Sequence, residues 1–263
     1  MTLYYAIGGG LGHRNRARLV LETLGIENAE IMTGAEIPKG LEGDRGGHRQ
    51  WLADRVRDRH VIVDAFPLGI QGELEGLEAA RVDWVARLLQ WPSYRSAVPY
   101  PPPHFDTAYV VEPLTPPHEA FVLEASARVV PLNLAPPRPR EPTKPIEGSY
   151  ALIVHSGPAA EVAELVAYAV ELGPDPLLVA TRCDIDLPSG MRRLDTDRPF
   201  DYFEGAVRLV SGAGFNVMLE TEPWRHKHHA LPFPRRFDDQ YLRAARRRKR
   251  AAVLSRDEQI RHT

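Results

Sequence analysis

The chain has 263 residues, 43% of them hydrophobic, enough to fill the core of one large or two small domains. Its 33 Lys and Arg against 35 Asp and Glu leave a net charge of -2, which excludes a global basic field for nucleic acid or an anionic membrane as main partner. The single cysteine, Cys183, excludes an internal disulfide, no apolar stretch approaches the roughly 20 residues that span a bilayer, and the N-terminus lacks a signal-peptide pattern, so a cytoplasmic location is expected.

In chain order, Leu3 to Ile7 predict a buried strand and Arg14 to Leu24 a helix, which places Gly8, Gly9, Gly10 and Gly12 in the turn between them. Residues 28–32 and 60–64 predict strands, with a helix over 46–58 between them. Further strands are expected at 82–88, 108–111 and 128–134. The stretch "APPRPREPTKPIE", 135–147, is rich in proline and charge and reads as a linker. Beyond it the pattern restarts: a strand at 150–155, a turn at Ser156, Gly157 and Pro158, a helix over 159–172, and a strand at 176–181. A short strand at 191–194, a short helix near 200–204 and a strand at 207–211 follow. Alternation of this kind predicts an α/β fold of two Rossmann-like domains, 1–135 and 148–263, facing each other across a cleft.

Four stretches carry candidate chemistry. The opening "AIGGGLGHRNR" fails the dinucleotide fingerprint G-x-G-x-x-G, because His13 or Asn15 stands at the third position. Its glycines can serve turn geometry alone or let backbone approach a ligand, and His13 at the helix start can act as a base or bind an oxygen. In "VDAFPLGIQGEL" either Asp64, at a strand end, or Glu73 can serve as a base; the competing roles are a loop cap for Asp64 and a helix start for Glu73.

"LVSGAGFNVMLETE", 209–222, ends a strand at Ser211, brackets a turn with Gly212 and Gly214, and starts a short helix near Phe215, a second phosphate cradle. Glu220 near its end can take both hydroxyls of a ribose, or stand as an exposed helix residue. In "HALPFPRRFDDQYLRAARRR", Asp238, Asp239 and Gln240 open the last helix. There they either cap it or, for Asp239 and Gln240, hydrogen-bond sugar hydroxyls. Weaker signals are "CDID" (183–186) as a metal-holding D-x-D, "HKHH" (226–229) as a zinc site against a solvated loop, and the basic run 243–250 as an anion contact against an exposed helix end. No metal is assigned.

The order of a Gly-rich turn with histidine, then S-G-A-G-F-N-x-x-x-E, then a proline-rich loop ending in D-D-Q, resembles the two-Rossmann (GT-B) glycosyltransferases. The likeness is to the branch containing the N-acetylglucosaminyltransferase of lipid II synthesis and its uncharacterised bacterial relatives, although this chain is much shorter than a typical member. The resemblance implies a C-terminal domain that binds a nucleotide sugar, a UDP-sugar by preference, and an N-terminal domain that serves a hydroxyl acceptor, lipid-linked or small. By matching position, Gly212, Gly214, Phe215 and Asn216 would hold the diphosphate and nucleotide edge, with Ser156 and Gly157 contributing from the first loop of that domain. Glu220 would bind ribose, Asp239 and Gln240 the donor sugar, and His13 would stand near the reacting oxygen; Gly10 and Gly12, read from the Gly-rich turn itself, are further candidates for contact with the bound ligand.

The expected activity is therefore metal-independent hexosyl transfer with no cofactor beyond the donor, no nucleic-acid partner and at most peripheral membrane contact. Three other classes stay open. A nucleotide-sugar epimerase or hydrolase on the same fold would convert donor without acceptor; a non-catalytic binding or scaffold protein would bind it without turnover. A dinucleotide oxidoreductase comes last, since the fingerprint fails.

Overall fold

The structure, a computed structural model, describes residues 1–7, 11–41, 43–142 and 146–249. The chain divides into two compact units: Met1–Ala135 with Arg236–Asp238, and Pro136–Arg235 with the chain from Asp239 onward. Both are α/β with parallel sheets, compatible with Rossmann-like domains.

The first unit runs β1 (Thr2–Ala6), α1 (Leu11–Thr23), β2 (Ala29–Thr33), α2 (Arg45–Val56), β3 (His60–Asp64), β4 (Arg81–Ala86), α3 (Trp91–Ala97), β5 (Thr107–Val110), α4 (Pro116–Ala125) and β6 (Val129–Pro131). The six strands pair parallel in the order β2-β1-β3-β4-β5-β6. "HVIVD" of β3 is buried at every residue after His60, as a parallel strand covered on both faces requires. α2 buries His48, Leu52 and Val56, a stripe with a period of four, and Asp44 caps it by accepting from the Gly47 N–H.

Helices at 91–97 and 116–125 were not among the expected elements; prolines open both, and in the first helical turn a proline lacks only an N–H that has no partner anyway. The turn before α1 also differs from expectation. The helix begins at Leu11, so Gly12 is helical rather than part of the turn, and Gly8, Gly9 and Gly10 lie outside the described residues.

The second unit contains β7 (Ala151–Val154), α5 (Ala159–Leu172), β8 (Leu177–Ala180), β9 (Arg192–Arg193), β10 (Arg208–Gly212), α6 (Phe215–Glu220), β11 (His228–Leu231) and a last helix, α7, over 240–249. Its strands are parallel in the order β11-β10-β7-β8-β9, which counted from β7 is the doubly wound order 3-2-1-4-5. α5 packs Val162, Leu165, Val166 and Ala169 onto the sheet at helical spacing. The "HKHH" stretch is not a solvated loop: its last two residues begin β11, paired beside β10, and His228 is half-buried and bonds to Ser211. Among the described residues no helix is long and apolar enough to cross a membrane.

Candidate functional site

In an open parallel sheet, ligands bind at the carboxyl ends of the strands where the strand order reverses, because the flanking loops part there. In the first unit that point lies between β1 and β3, whose following segments diverge to β2 on one side and β4 on the other. Asp64 is the last residue of β3, and α1, which follows β1, presents His13 and Arg16 on one face at i, i+3 spacing. His13 Nδ1 lies 2.7 Å from Asp64 Oδ2, and Arg16 donates from Nε to Oδ1 at 2.8 Å and from Nη2 to Oδ2 at 2.5 Å. Tyr4 OH, from β1, donates to Oδ1 at 3.1 Å.

The side chain of Asp64 is 0% exposed. Burial opposes its ionisation, but the Arg16 guanidinium and the hydrogen bonds from His13 and Arg16 outweigh it and hold the carboxyl far below the usual range. An ionised carboxylate only accepts, so Nδ1 of His13 carries the proton that faces Oδ2. The other tautomer would set two lone pairs against each other across that 2.7 Å. Arg16 Nη2 sits 2.9 Å from the same nitrogen because both donate to one oxygen. Nε2 of His13 then presents a lone pair, has no hydrogen-bond partner among the described residues, and belongs to a side chain that is 11% exposed. Burial pushes the His13 pKa below its ordinary value of 6.5, against the pull of Asp64, so the imidazole is neutral at pH 7. Of the candidate bases, His13 presents a ring nitrogen that no described residue engages; Asp64 acts through it as a positioning residue.

Glu73 is differently placed. Its carboxylate is buried and accepts from Tyr5 OH at 2.9 Å, from the Ile70 N–H at 3.1 Å and from the Gln71 N–H at 2.8 Å. It fills the space that a Cβ on Gly69 would occupy, and Gly69 has φ +76°, so the pair closes a tight loop that excludes other residues. The three donors explain this carboxylate as a loop staple rather than as a base. The same loop walls a surface cavity of about 290 Å³ with Arg45, Arg49 and Glu75, where both arginines pair with Glu75.

In the second unit the strand order reverses between β7 and β10, which bond in parallel with Val154 opposite Ser211. The predicted residues Ser156 and Gly157 follow β7, while Gly212, Gly214 and Phe215 follow or end β10, so all five come together at this point. Between the two glycine segments stands His155, which the sequence reading had passed over. A Cβ on Gly157 would meet its Nε2 at 2.4 Å, and one on Gly212 would meet its Cε1 at 2.9 Å. Gly214 differs: a Cβ there meets nothing within 4 Å. His155 Nε2 bonds to Glu161 Oε2 at 2.7 Å, and Arg235 grips both oxygens of Glu161 at 2.6 Å each.

Glu220 ends α6 half-buried, with no hydrogen bond or ion pair to any described residue. Burial pushes its pKa up to about 7, the mark of a carboxylate left without a donor. Asn216 lies in the first turn of α6. Asp239 caps α7, its Oδ1 accepting from the Leu242 N–H at 2.9 Å, and Gln240 Oε1 accepts from the Phe233 N–H at 3.1 Å. Asp239 thus takes the capping alternative, whereas Gln240 holds the backbone of the loop before α7 rather than the helix start. His228 is neutral and structural: Ser211 donates its hydroxyl to the Gly212 carbonyl and so accepts from His228 Nε2, 2.8 Å away, while Arg247 Nη2 lies 3.2 Å from Nδ1.

The sequence reading missed Arg16, Glu161 and Arg235 as well as His155. Arg16 was detectable from its i, i+3 spacing to His13, whereas Arg235 meets Glu161 only through the fold, 74 positions apart. Among the described residues no group of three or more His, Cys, Asp or Glu is arranged to hold a metal ion, "CDID" included. No protein-family model matches the chain, and a search of curated proteins finds no match either.

Proposed function

We propose that the protein is a glycosyltransferase of the two-Rossmann (GT-B) class, moving a sugar from a nucleoside diphosphate donor, a UDP-sugar first among candidates, to a hydroxyl acceptor. The observation that carries this reading is the buried His13–Asp64–Arg16 arrangement at the reversal point of the first sheet. It offers a neutral imidazole with one nitrogen fixed and the other available to an acceptor hydroxyl. In the second unit, support comes from the 3-2-1-4-5 strand order, from the loops gathered at its reversal point, and from Glu220, whose unpartnered carboxylate suits a ribose diol.

In this reading the acceptor oxygen bonds to the anomeric carbon as the bond from that carbon to the diphosphate oxygen breaks. The hydroxyl proton passes to His13 Nε2. The backbone N–H groups after Gly214 and around Ser156 meet the departing negative charge. Asp64 steadies the imidazolium so formed, as its ionised state and 2.7 Å contact allow.

A thermal-shift screen of nucleoside diphosphates and their sugars tests the donor half. A ligand that binds only the folded state at 100 times its Kd adds about 2.7 kcal/mol of stability. Absence of any shift across the uridine, thymidine, guanosine, adenosine and cytidine series sinks the reading. Consumption of donor without an acceptor would redirect it to a hydrolase or epimerase.

A further inference from the structure

Resting on the nucleotide-sugar reading above, we infer that His155 is the diphosphate-recognising side chain of the second unit and takes up a proton at Nδ1 when the anion binds. Three observations carry this. First, His155 directly follows β7 at the point where the strand order reverses, and its ring bridges the loops after β7 and β10. The Nε2–Cδ2 edge faces Gly157 and the Nδ1–Cε1 edge faces Gly212, where a Cβ would lie 3.1 Å from Nδ1. Two glycines, one in the loop after β7 and one ending β10, thus leave room for one imidazole.

Second, the ring is fixed on one side only. Glu161 Oε2 lies 2.7 Å from Nε2, and Arg235 clamps Glu161, so Nε2 carries the hydrogen of that bond. Phe233, whose N–H is held by Gln240, packs against the ring with centroids 5.3 Å apart. Third, Nδ1 has no hydrogen-bond partner among the described residues, and the side chain is 11% exposed.

The charges that face His155 are Glu161 on α5, which favours its protonation, and Arg235 after β11, which opposes it together with burial. The balance keeps the imidazole neutral in the empty protein. A diphosphate oxygen arriving at Nδ1 adds negative charge on the opposite edge of the ring and tips that balance. One proton then passes from solvent to Nδ1, which becomes a donor to the anion, and no other bond is made or broken. A ring that merely filled space between two loops would show no such proton linkage.

Calorimetry of UDP, or of whichever nucleoside diphosphate the screen selects, in two pH 7 buffers of different ionisation heat counts the protons taken up on binding. The phosphate's own titration is common to wild type and variants, so the difference between them isolates His155. We expect wild type to take up as much as one proton more than His155→Gln, to bind about 10- to 100-fold more tightly, and to weaken between pH 6 and 8 with a slope that the variant lacks. Equal proton counts and equal affinity in a folded variant would reduce His155 to packing. If His155→Gln does not fold, Glu161→Gln reads the same quantity, because removing the countercharge suppresses the uptake while the imidazole remains. Failure of every nucleoside diphosphate to bind wild type would overturn the parent reading itself; binding that ignores His155 would overturn only this inference.

Discussion

Asp64 Oδ2 is shared: His13 Nδ1 meets it at 2.7 Å while the Arg16 guanidinium donates to the same atom, so one buried carboxylate both orients the imidazole and is itself kept ionised. The two jobs separate under substitution. His13→Ala leaves the Asp64–Arg16 pair in place, so the fold should persist while sugar transfer slows by about 10²–10⁴-fold, the usual contribution of a positioned base. Donor affinity should hardly change, since the proposed donor contacts lie in the second unit. Unchanged turnover would return His13 to a turn-side structural role.

Asp64→Asn should behave differently. It removes the carboxylate that Arg16, 4% exposed, donates to twice, at a cost of about 3–5 kcal/mol of stability. It should also free the imidazole to adopt the wrong tautomer. A melting temperature equal to wild type would show that the pair is not the buried unit described above. For the wild-type rate, the neutral imidazole is the active form, and burial sets its pKa below 6.5. Activity should therefore hold at neutral pH and fall on the acid side, below the ordinary histidine range; a fall centred above pH 7 would assign the limb to another group.

Glu220 gives a test with opposite signs for stability and binding. Its pKa is raised to about 7 in the folded protein, so the unfolded chain releases this proton more readily and stability declines as pH rises from about 4.5 through 7. Glu220→Gln removes that penalty and should raise the melting temperature at pH 8. The same change should weaken nucleotide binding by about 1–3 kcal/mol if the carboxylate holds ribose. A stabilised variant with unchanged affinity would remove Glu220 from the site.

Gly212 and Gly214 should respond unequally to the same methyl group. Gly212→Ala places a Cβ 2.9 Å from the His155 ring and should lower the melting temperature; Gly214→Ala meets open space and should not. If the backbone beyond Gly214 cradles phosphate, Gly214→Ala should nonetheless weaken nucleoside diphosphate binding. A Gly214→Ala protein that melts and binds as wild type does would dismiss the cradle.

Acid stability should depend on His118. It is fully buried on α4, stacked on Trp91 at 4.1 Å, and neither ring nitrogen has a partner among the described residues. Burial holds its pKa near 3, so below pH 6.5 the unfolded state binds the extra proton and stability falls by about 1.4 kcal/mol per pH unit down to about pH 3. His118→Phe keeps the aromatic packing and removes the titration. The gap between melting temperatures at pH 7 and pH 5 should narrow; an unaltered gap would assign the acid sensitivity elsewhere, His228 being the next group with the same sign.

What the sequence determined by itself is the set of elements whose burial pattern is local. "HVIVD" spans 60–64 in both the reading and the fold, and the amphipathic stripe of α5 spans 159–172 in both. An unbroken apolar run or a period of 3.6 needs no neighbour to declare itself. Helices at 91–97 and 116–125 are short, open on prolines and carry little apolar period of their own, so they do not declare themselves locally, and β11 escaped because its histidines read as solvated polar residues.

The tertiary structure decided which polar residues meet. His13 and Asp64 are 51 positions apart and become partners only because β1 and β3 lie side by side in the first sheet; β7 and β10 likewise bring Gly212 against His155. Parallel pairing joins strands through long crossovers, so the register that sets these contacts is a property of the whole sheet. The carboxylates Asp64, Glu73 and Glu220 are one chemical type in the sequence. Burial beside an arginine, beside three donors, or beside none is what makes them a positioning residue, a loop staple and a candidate ligand group.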